Sequence, residues 1–219
     1  MLVLQGVSKK FGDKVILEDV DLHIKPGEFV YLTGPSGAGK STLLSLILRE
    51  QLPDSGTIMV DSEDISKIKD KDVYKLRRKI GFVFQDYRLL PTKNSFENIS
   101  IALEIIGKTK KQIKERVEEL LSLVGLEDRI YNFPWQLSGG EKQRLAIARA
   151  MALEPKIIVA DEPTGNLDAA NSWEILNLLV KLNKDMETTT LLATHDLNLV
   201  KNLKKRTIHL EGGRITSHD

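Results

Sequence analysis

Cysteine is absent from the 219 residues, which rules out disulfides and any thiol chemistry. Long apolar runs are missing too: no stretch approaches the roughly 20 residues needed to cross a bilayer. The N-terminal Met1-Leu-Val-Leu-Gln run is too short for a signal peptide. We therefore expect a chain that stays in the cytoplasm and works at a membrane only if another protein holds it there. There is no excess of charge of one sign: 32 basic and 31 acidic side chains leave +1. No global field draws such a chain onto DNA or anionic lipid, and no nucleic-acid partner is expected. The local basic clusters within 67–79, 108–116 and 201–206 read as solvated faces. Internal repeats, low-complexity tracts and long linkers are also lacking, and no appended regulatory domain is expected.

What is present is ordinary for a globular protein, with 41% hydrophobic and 29% charged residues, in a chain long enough to bury a substantial core. Ile16, Val20, Leu22 and Ile24 alternate with polar residues as in a half-buried strand. Phe29–Thr33 suits a central strand. Gly56–Val60, Ile80–Phe84, Ile157–Ala160 and Thr190–Thr194 read as further strands, and 208–215 as a terminal hairpin. Thr42–Leu48 is helical in character. Thr109 and Gln112 fit a capping box, after which Ile113, Val117, Leu120, Leu121 and Val124 line one helical face. Ser138 can cap a helix running through Ala150. Strands alternating with helices predict a mainly parallel α/β sheet, and the stretch from about Asp86 to Ala150, without strand pattern, predicts a helical insert.

Three segments carry chemistry. In Gly34-Pro35-Ser36-Gly37-Ala38-Gly39-Lys40-Ser41, glycines let backbone N–H groups cradle phosphate oxygens at a helix N-terminus. Lys40 supplies a cation to the β- and γ-phosphates, and the Ser41 hydroxyl suits Mg²⁺. Asp161 ends an apolar strand, where its carboxylate can hold a magnesium shell. Glu162 follows and suits a base acting on attacking water. Leu137-Ser138-Gly139-Gly140-Glu141-Lys142-Gln143 supplies a second hydroxyl-and-amide cradle.

Together these segments resemble the ATP-binding-cassette (ABC) ATPases from about Leu2 to Arg214, with six motifs in the family's order. The resemblance implies the P-loop NTPase ABC fold: a RecA-like mixed α/β sheet core with an N-terminal antiparallel β subdomain and a helical insert. It implies one domain over 1–219, with 1–85 and 151–219 as nucleotide-binding core and about 86–150 as helical subdomain. It makes Gln85, expected to close the strand Ile80–Phe84, a glutamine that reaches magnesium. It makes His195 a switch contacting the γ-phosphate and Phe11 the aromatic that stacks on adenine. The ATP-binding set then runs Phe11, Gly34, Pro35, Ser36, Gly37, Ala38, Gly39, Lys40, Ser41 and Thr42. The metal set is Ser41, Gln85 and Asp161, and the catalytic set Glu162, His195 and Gln85. Ser138, Gly139 and Gly140, with Asp168 of Asn166-Leu-Asp168 at the seam, would complete the site of a second copy, giving a homodimer around two ATP molecules.

Glu141, where many relatives have glutamine, should add a like charge near phosphate. With Thr164-Gly-Asn-Leu-Asp168, it resembles the branch of lipoprotein-release, macrolide-efflux and cell-division ATPases. Val83–Pro91, Phe133-Pro134 and Asn171–Ile175 look most like the cell-division type. That implies an integral membrane partner at the cytoplasmic face, with Tyr87, Leu89 and Leu90 as its anchor or as packing inside the helical lobe. A soluble ATP-dependent switch with no membrane partner is the other functional class.

Overall fold

The computed structural model describes residues 1–218, and the side chains of all of these except 197, 198 and 218. Its strands form two sheets. The first joins β1 (Leu2–Phe11), β2 (Lys14–Ile24), β4 (Ser55–Val60) and β5 (Glu63–Asp64) in the antiparallel order β2-β1-β4-β5. The second joins β3 (Phe29–Thr33), β6 (Ile80–Val83), β7 (Ile157–Asp161), β8 (Thr189–Ala193), β9 (Arg206–Glu211) and β10 (Arg214–His218). Its order is β10-β9-β3-β8-β7-β6, parallel throughout except for the β9–β10 hairpin.

Alternation along the parallel strands divides the core. Val30 and Leu32 of β3, Ile157 and Val159 of β7, and Leu191 and Ala193 of β8 face a cluster shared with the antiparallel sheet and α1 (Lys40–Ile47). Phe29, Tyr31, Ile158, Ala160 and Leu192 face the opposite side, as the two-residue period of a strand requires. That side is covered by α3 (Ser95–Ile105), α4 (Lys110–Leu123), α5 (Gly139–Ala150) and α6 (Ala169–Asp185). Both faces being covered, all five residues of β3 and of β8 are buried. Two short helices, α2 (Val73–Arg77) and α7 (Leu197–Leu203), complete the chain.

The helix starts follow local chemistry. Thr109 accepts from the Gln112 amide at 3.3 Å while Gln112 accepts from the Thr109 amide at 3.0 Å. Ile113, Val117, Leu120, Leu121 and Val124 are all buried, on the face the periodicity marks. α3 has the same device in Asn94 and Glu97. One sequence expectation needs correction. The strand expected over Ile80–Phe84 stops at Val83, so Gln85 stands in the following turn rather than closing the strand. β1, ten residues long, carries no clean alternation and was not read as a strand; its pairing is broken by register shifts on both sides.

Candidate active site

Because β3, β8, β7 and β6 lie side by side and run parallel, their carboxyl ends share one edge, the edge where open α/β sheets bind ligands. The loop before α1, the Asp161-Glu162 pair, His195 and Gln85 all leave the sheet there.

The loop from Gly34 turns into α1 at Gly39, whose φ of 106° is left-handed. A β-carbon there would lie 2.9 Å from Leu17 Cδ2 and 3.0 Å from the Ile16 carbonyl, so only glycine fits. Lys40 is buried, and its ammonium donates to the carbonyls of Gly34 at 2.7 Å and Pro35 at 3.1 Å. A cavity of about 280 Å³ is lined by Ser36, Gly37, Gly39, Lys40, Ser41 and Thr42 on one side, Lys14 and Ile16 on another, and Glu162. Pro35 and Ala38 shape the loop from behind, with the Ala38 amide donating to the Pro35 carbonyl at 3.2 Å.

Burial pushes the Asp161 carboxyl above the usual carboxylate range, a hydrogen bond from the Ser41 hydroxyl works against this, and Glu162 beside it adds to the rise. A carboxylate raised chiefly by burial, next to a hydroxyl, is a set of hard oxygen donors suited to Mg²⁺. Among the described residues no three His, Asp or Glu side chains cluster to hold a metal alone.

Glu162 has φ 46°, a left-handed conformation costing about 1–2 kcal/mol for a residue with a β-carbon. Its amide donates to the Ala193 carbonyl at 2.9 Å. The turn swings its side chain away from that of Asp161 and brings Oε1 to 3.0 Å from His195 Nδ1. The sheet edge therefore gathers Lys40, Ser41, Asp161, Glu162 and His195.

Other expected residues sit apart from that group. The Gln85 side chain lies against Gly165, where a β-carbon would be 2.8 Å from its Nε2, and its carbonyl accepts from Asn166 Nδ2 at 3.0 Å. Phe11, at the end of β1, is 48% exposed and outside the cavity lining, with the Lys9 ammonium 5.6 Å from its ring centroid. The ring is half-exposed, with Lys9 over one face. Ser138, Gly139 and Gly140 do not line the cavity either.

Ser138 caps α5: its Oγ accepts from the Glu141 amide at 3.2 Å, and Glu141 Oε2 accepts from the Ser138 amide at 2.8 Å. Glu141 Oε1 also lies 3.1 Å from Arg129 Nε. The expected like charge is therefore present but ion-paired with Arg129, and the carboxylate completes a capping box. At Gly140 a β-carbon would collide with the Asn171 side chain. Asn171 is itself tied to Asp168, donating its amide at 2.9 Å and its Nδ2 at 2.7 Å. The starts of α5 and α6 are thus packed together.

Sequence reasoning missed Asn171, Arg129 and Asn98. Asn98 is fully buried, with its amide bonded to Leu90, Lys93 and Asn94. An asparagine inside a helix carries no signal of a tertiary partner. Leu89 packs against the helical side of the core, while Leu90 is 37% exposed, so the proposed anchor triplet is split.

The ABC transporter family profile matches residues 17–165. The chain is 50% identical over 216 residues to the cell division ATP-binding protein FtsE of Streptococcus pneumoniae serotype 2 (strain D39 / NCTC 7466), covering 98% of this chain and 94% of that protein. It is 44% identical over 219 residues to the methionine import ATP-binding protein MetN 1 of Bacillus thuringiensis subsp. konkukian (strain 97-27), covering 98% of this chain but 65% of that protein. Among solved structures, the dimeric post-hydrolysis state of the ATP-binding cassette MJ0796 bound to ADP and Pi superposes with a TM-score of 0.89 at 39% identity, covering 100% and 98% of the two chains. With this fold, this phosphate loop and these strand-end carboxylates, the chain belongs to the ABC transporter family and is one of its ATP-hydrolysing cassettes.

Proposed function

We propose that this chain is the ATPase subunit of a cell-division membrane complex, working as a homodimer that closes around ATP and acts on an integral membrane partner resembling FtsX. The observation that carries the dimer is the separation of the two cradles: the Lys40 loop lines a cavity that Ser138–Gly140 do not reach. One nucleotide does not need two such cradles in one chain, so the second serves another copy. The cell-division role is supported by the 50% identity with FtsE, which spans 98% of this chain and 94% of that protein. Among the described residues no helix is long and apolar enough to cross a membrane, so the place we infer at the cytoplasmic face depends on the partner.

In this reading Lys40 and the amides from Gly34 to Thr42 hold the β- and γ-phosphates, and Phe11 offers its half-exposed ring to adenine. Ser41 and Asp161 would hold Mg²⁺, with Gln85 as a further oxygen donor, and the bound ion would supply positive charge to the phosphate oxygens. Glu162 orients and deprotonates the attacking water. His195 Nδ1 holds the Glu162 carboxylate, leaving Nε2 for the γ-phosphate. Asp168 positions the start of α6 at the seam between copies.

The test is copurification from membranes with Glu162→Gln as bait in the presence of ATP. A stoichiometric integral membrane protein with a large external domain is expected. Recovery of a substrate-binding importer or exporter assembly would replace this reading, and recovery of soluble proteins alone would favour the switch class.

A further inference from the structure

The chain after Gln85 adopts a backbone that L-residues resist. Tyr87 has φ 61° and Arg88 φ 46°, two consecutive non-glycine residues in the left-handed region. Strain of this kind persists only where surrounding contacts over-determine it. The contact here comes from Arg149, in the last turn of α5. Its Nη2 donates to the Tyr87 carbonyl at 2.8 Å and its Nη1 to the Arg88 carbonyl at 2.5 Å. Successive carbonyls point to opposite sides in an extended chain and to the same side in a helical conformation of either hand. The left-handed pair is therefore what presents both oxygens to one planar fork.

Neighbouring arginines behave differently. Arg116 divides its terminal nitrogens between Glu119 at 2.9 Å and the Met151 carbonyl at 3.0 Å, and Arg144 pairs with Glu174 at 3.1 Å, whereas Arg149 gives both terminal nitrogens to the backbone of one loop. The same segment is also held at the other end of the helix. Tyr87 Oη lies where a β-carbon on Gly139 would be 3.3 Å away, so the tyrosine runs along α5 from Arg149 towards the Ser138 cradle. Arg88 in turn stacks its guanidinium 3.9 Å from the Phe84 ring centroid.

We propose that Arg149 is a positioning residue for ATP hydrolysis: its grip on the Tyr87 and Arg88 carbonyls fastens the Gln85 loop to the signature helix, so that Gln85 moves with α5. The proposal rests on the reading of Gln85 as a group serving the γ-phosphate site. It assigns the fastening to one side chain, at the end of α5 remote from the cradle.

The test uses the full-length protein. Arg149→Met keeps the stem and removes both donors; kcat should fall about 10- to 100-fold, the scale of a small misplacement of a reacting group. KM for Mg·ATP should change little, because the Lys40 loop is untouched. Amide hydrogen exchange over 85–90 should rise, with exchange over 140–148 unchanged. Arg149→Lys, which cannot grip both carbonyls, should show the same signature at lower amplitude and serves if the methionine variant fails to fold. Adding Arg88→Gly tests the cause. Glycine takes a positive φ without strain, so a double-mutant cycle should show that Arg88→Gly restores activity in the Arg149→Met background beyond its effect alone.

Unchanged exchange over 85–90 in Arg149→Met overturns the proposal. So does raised exchange with wild-type kcat, provided Gln85→Ala is slow. Gln85→Ala at the wild-type rate would instead remove the reading beneath it. Absence of glycine rescue would mean that Arg149 acts through overall stability and not through the loop.

Discussion

Glu162 combines two features that seldom coincide in a side chain of purely structural use: a left-handed backbone and a 3.0 Å contact with a histidine on the adjacent strand end. Glu162 also lines the cavity that holds Lys40. Glu162→Gln preserves size and most hydrogen bonding but removes the base, so hydrolysis should fall roughly 10²–10⁴-fold while nucleotide binding persists. A single-turnover phosphate-release assay beside equilibrium ATP titration checks both halves. A smaller loss would shift the base role to another group. The acidic pair Asp161-Glu162 was legible because it follows an apolar strand in a chain with a phosphate loop. The Glu162–His195 contact was not, because it depends on β7 and β8 being neighbours, a pairing between residues some thirty positions apart in sequence.

At the scale of elements, α5 carries its own pH dependence. The Glu141 carboxyl is held below its usual range first by the Ser138 backbone amide, with the Ser138 hydroxyl and Arg129 adding to it. A carboxyl lowered in the folded state contributes stability fully above its unfolded value, and loses it as pH falls through the folded one. Glu141→Ala should therefore cost about 0.3–1.5 kcal/mol at pH 7, with the gap to wild type closing as the solution is acidified below about pH 4. Urea unfolding of both proteins across that range measures it; a gap independent of pH would mean that the carboxylate charge contributes nothing.

The loop after β6 divides by burial. Leu89→Asp places a charge against the helical core and should lower thermal stability by several degrees, as an unpaired buried charge does. Leu90→Asp, at a half-open position, should leave basal hydrolysis and unfolding temperature near wild type and weaken retention of a membrane partner on affinity resin. The reverse pattern would place the partner surface elsewhere. The starts of α4 and α5 were readable from sequence because caps are local chemistry, although the same device at Asn94 and Glu97 of α3 was not. β1 was not, for a physical reason: Gly6 at φ 58° and the register shifts around it turn the buried spacing Leu2, Leu4, Val7 from two residues to three.

For the whole molecule, the proposed sharing of the separated cradles between two copies predicts that assembly is conditional on nucleotide. Glu162→Gln with ATP should sediment as a dimer, and adding Ser138→Arg should return it to monomer by filling the cradle. A dimer that survives Ser138→Arg would move the interface away from α5. The general fold was legible through strand–helix alternation and the motif order, but the packing of α5 on α6 was not. It turns on Gly140 having no β-carbon where Asn171 stands, which no periodicity announces. The helical side of the core has one further consequence. Leu145, Ile147 and Ala148 of α5 and Val117 and Leu120 of α4 share a single apolar cluster with Tyr31, Ile158 and Leu192 of the sheet. Those helices have no separate interior to retain if the sheet is lost. Heat should melt the nucleotide-free chain in one cooperative step, its calorimetric and van't Hoff enthalpies agreeing, and an excised 86–150 peptide should remain without tertiary structure.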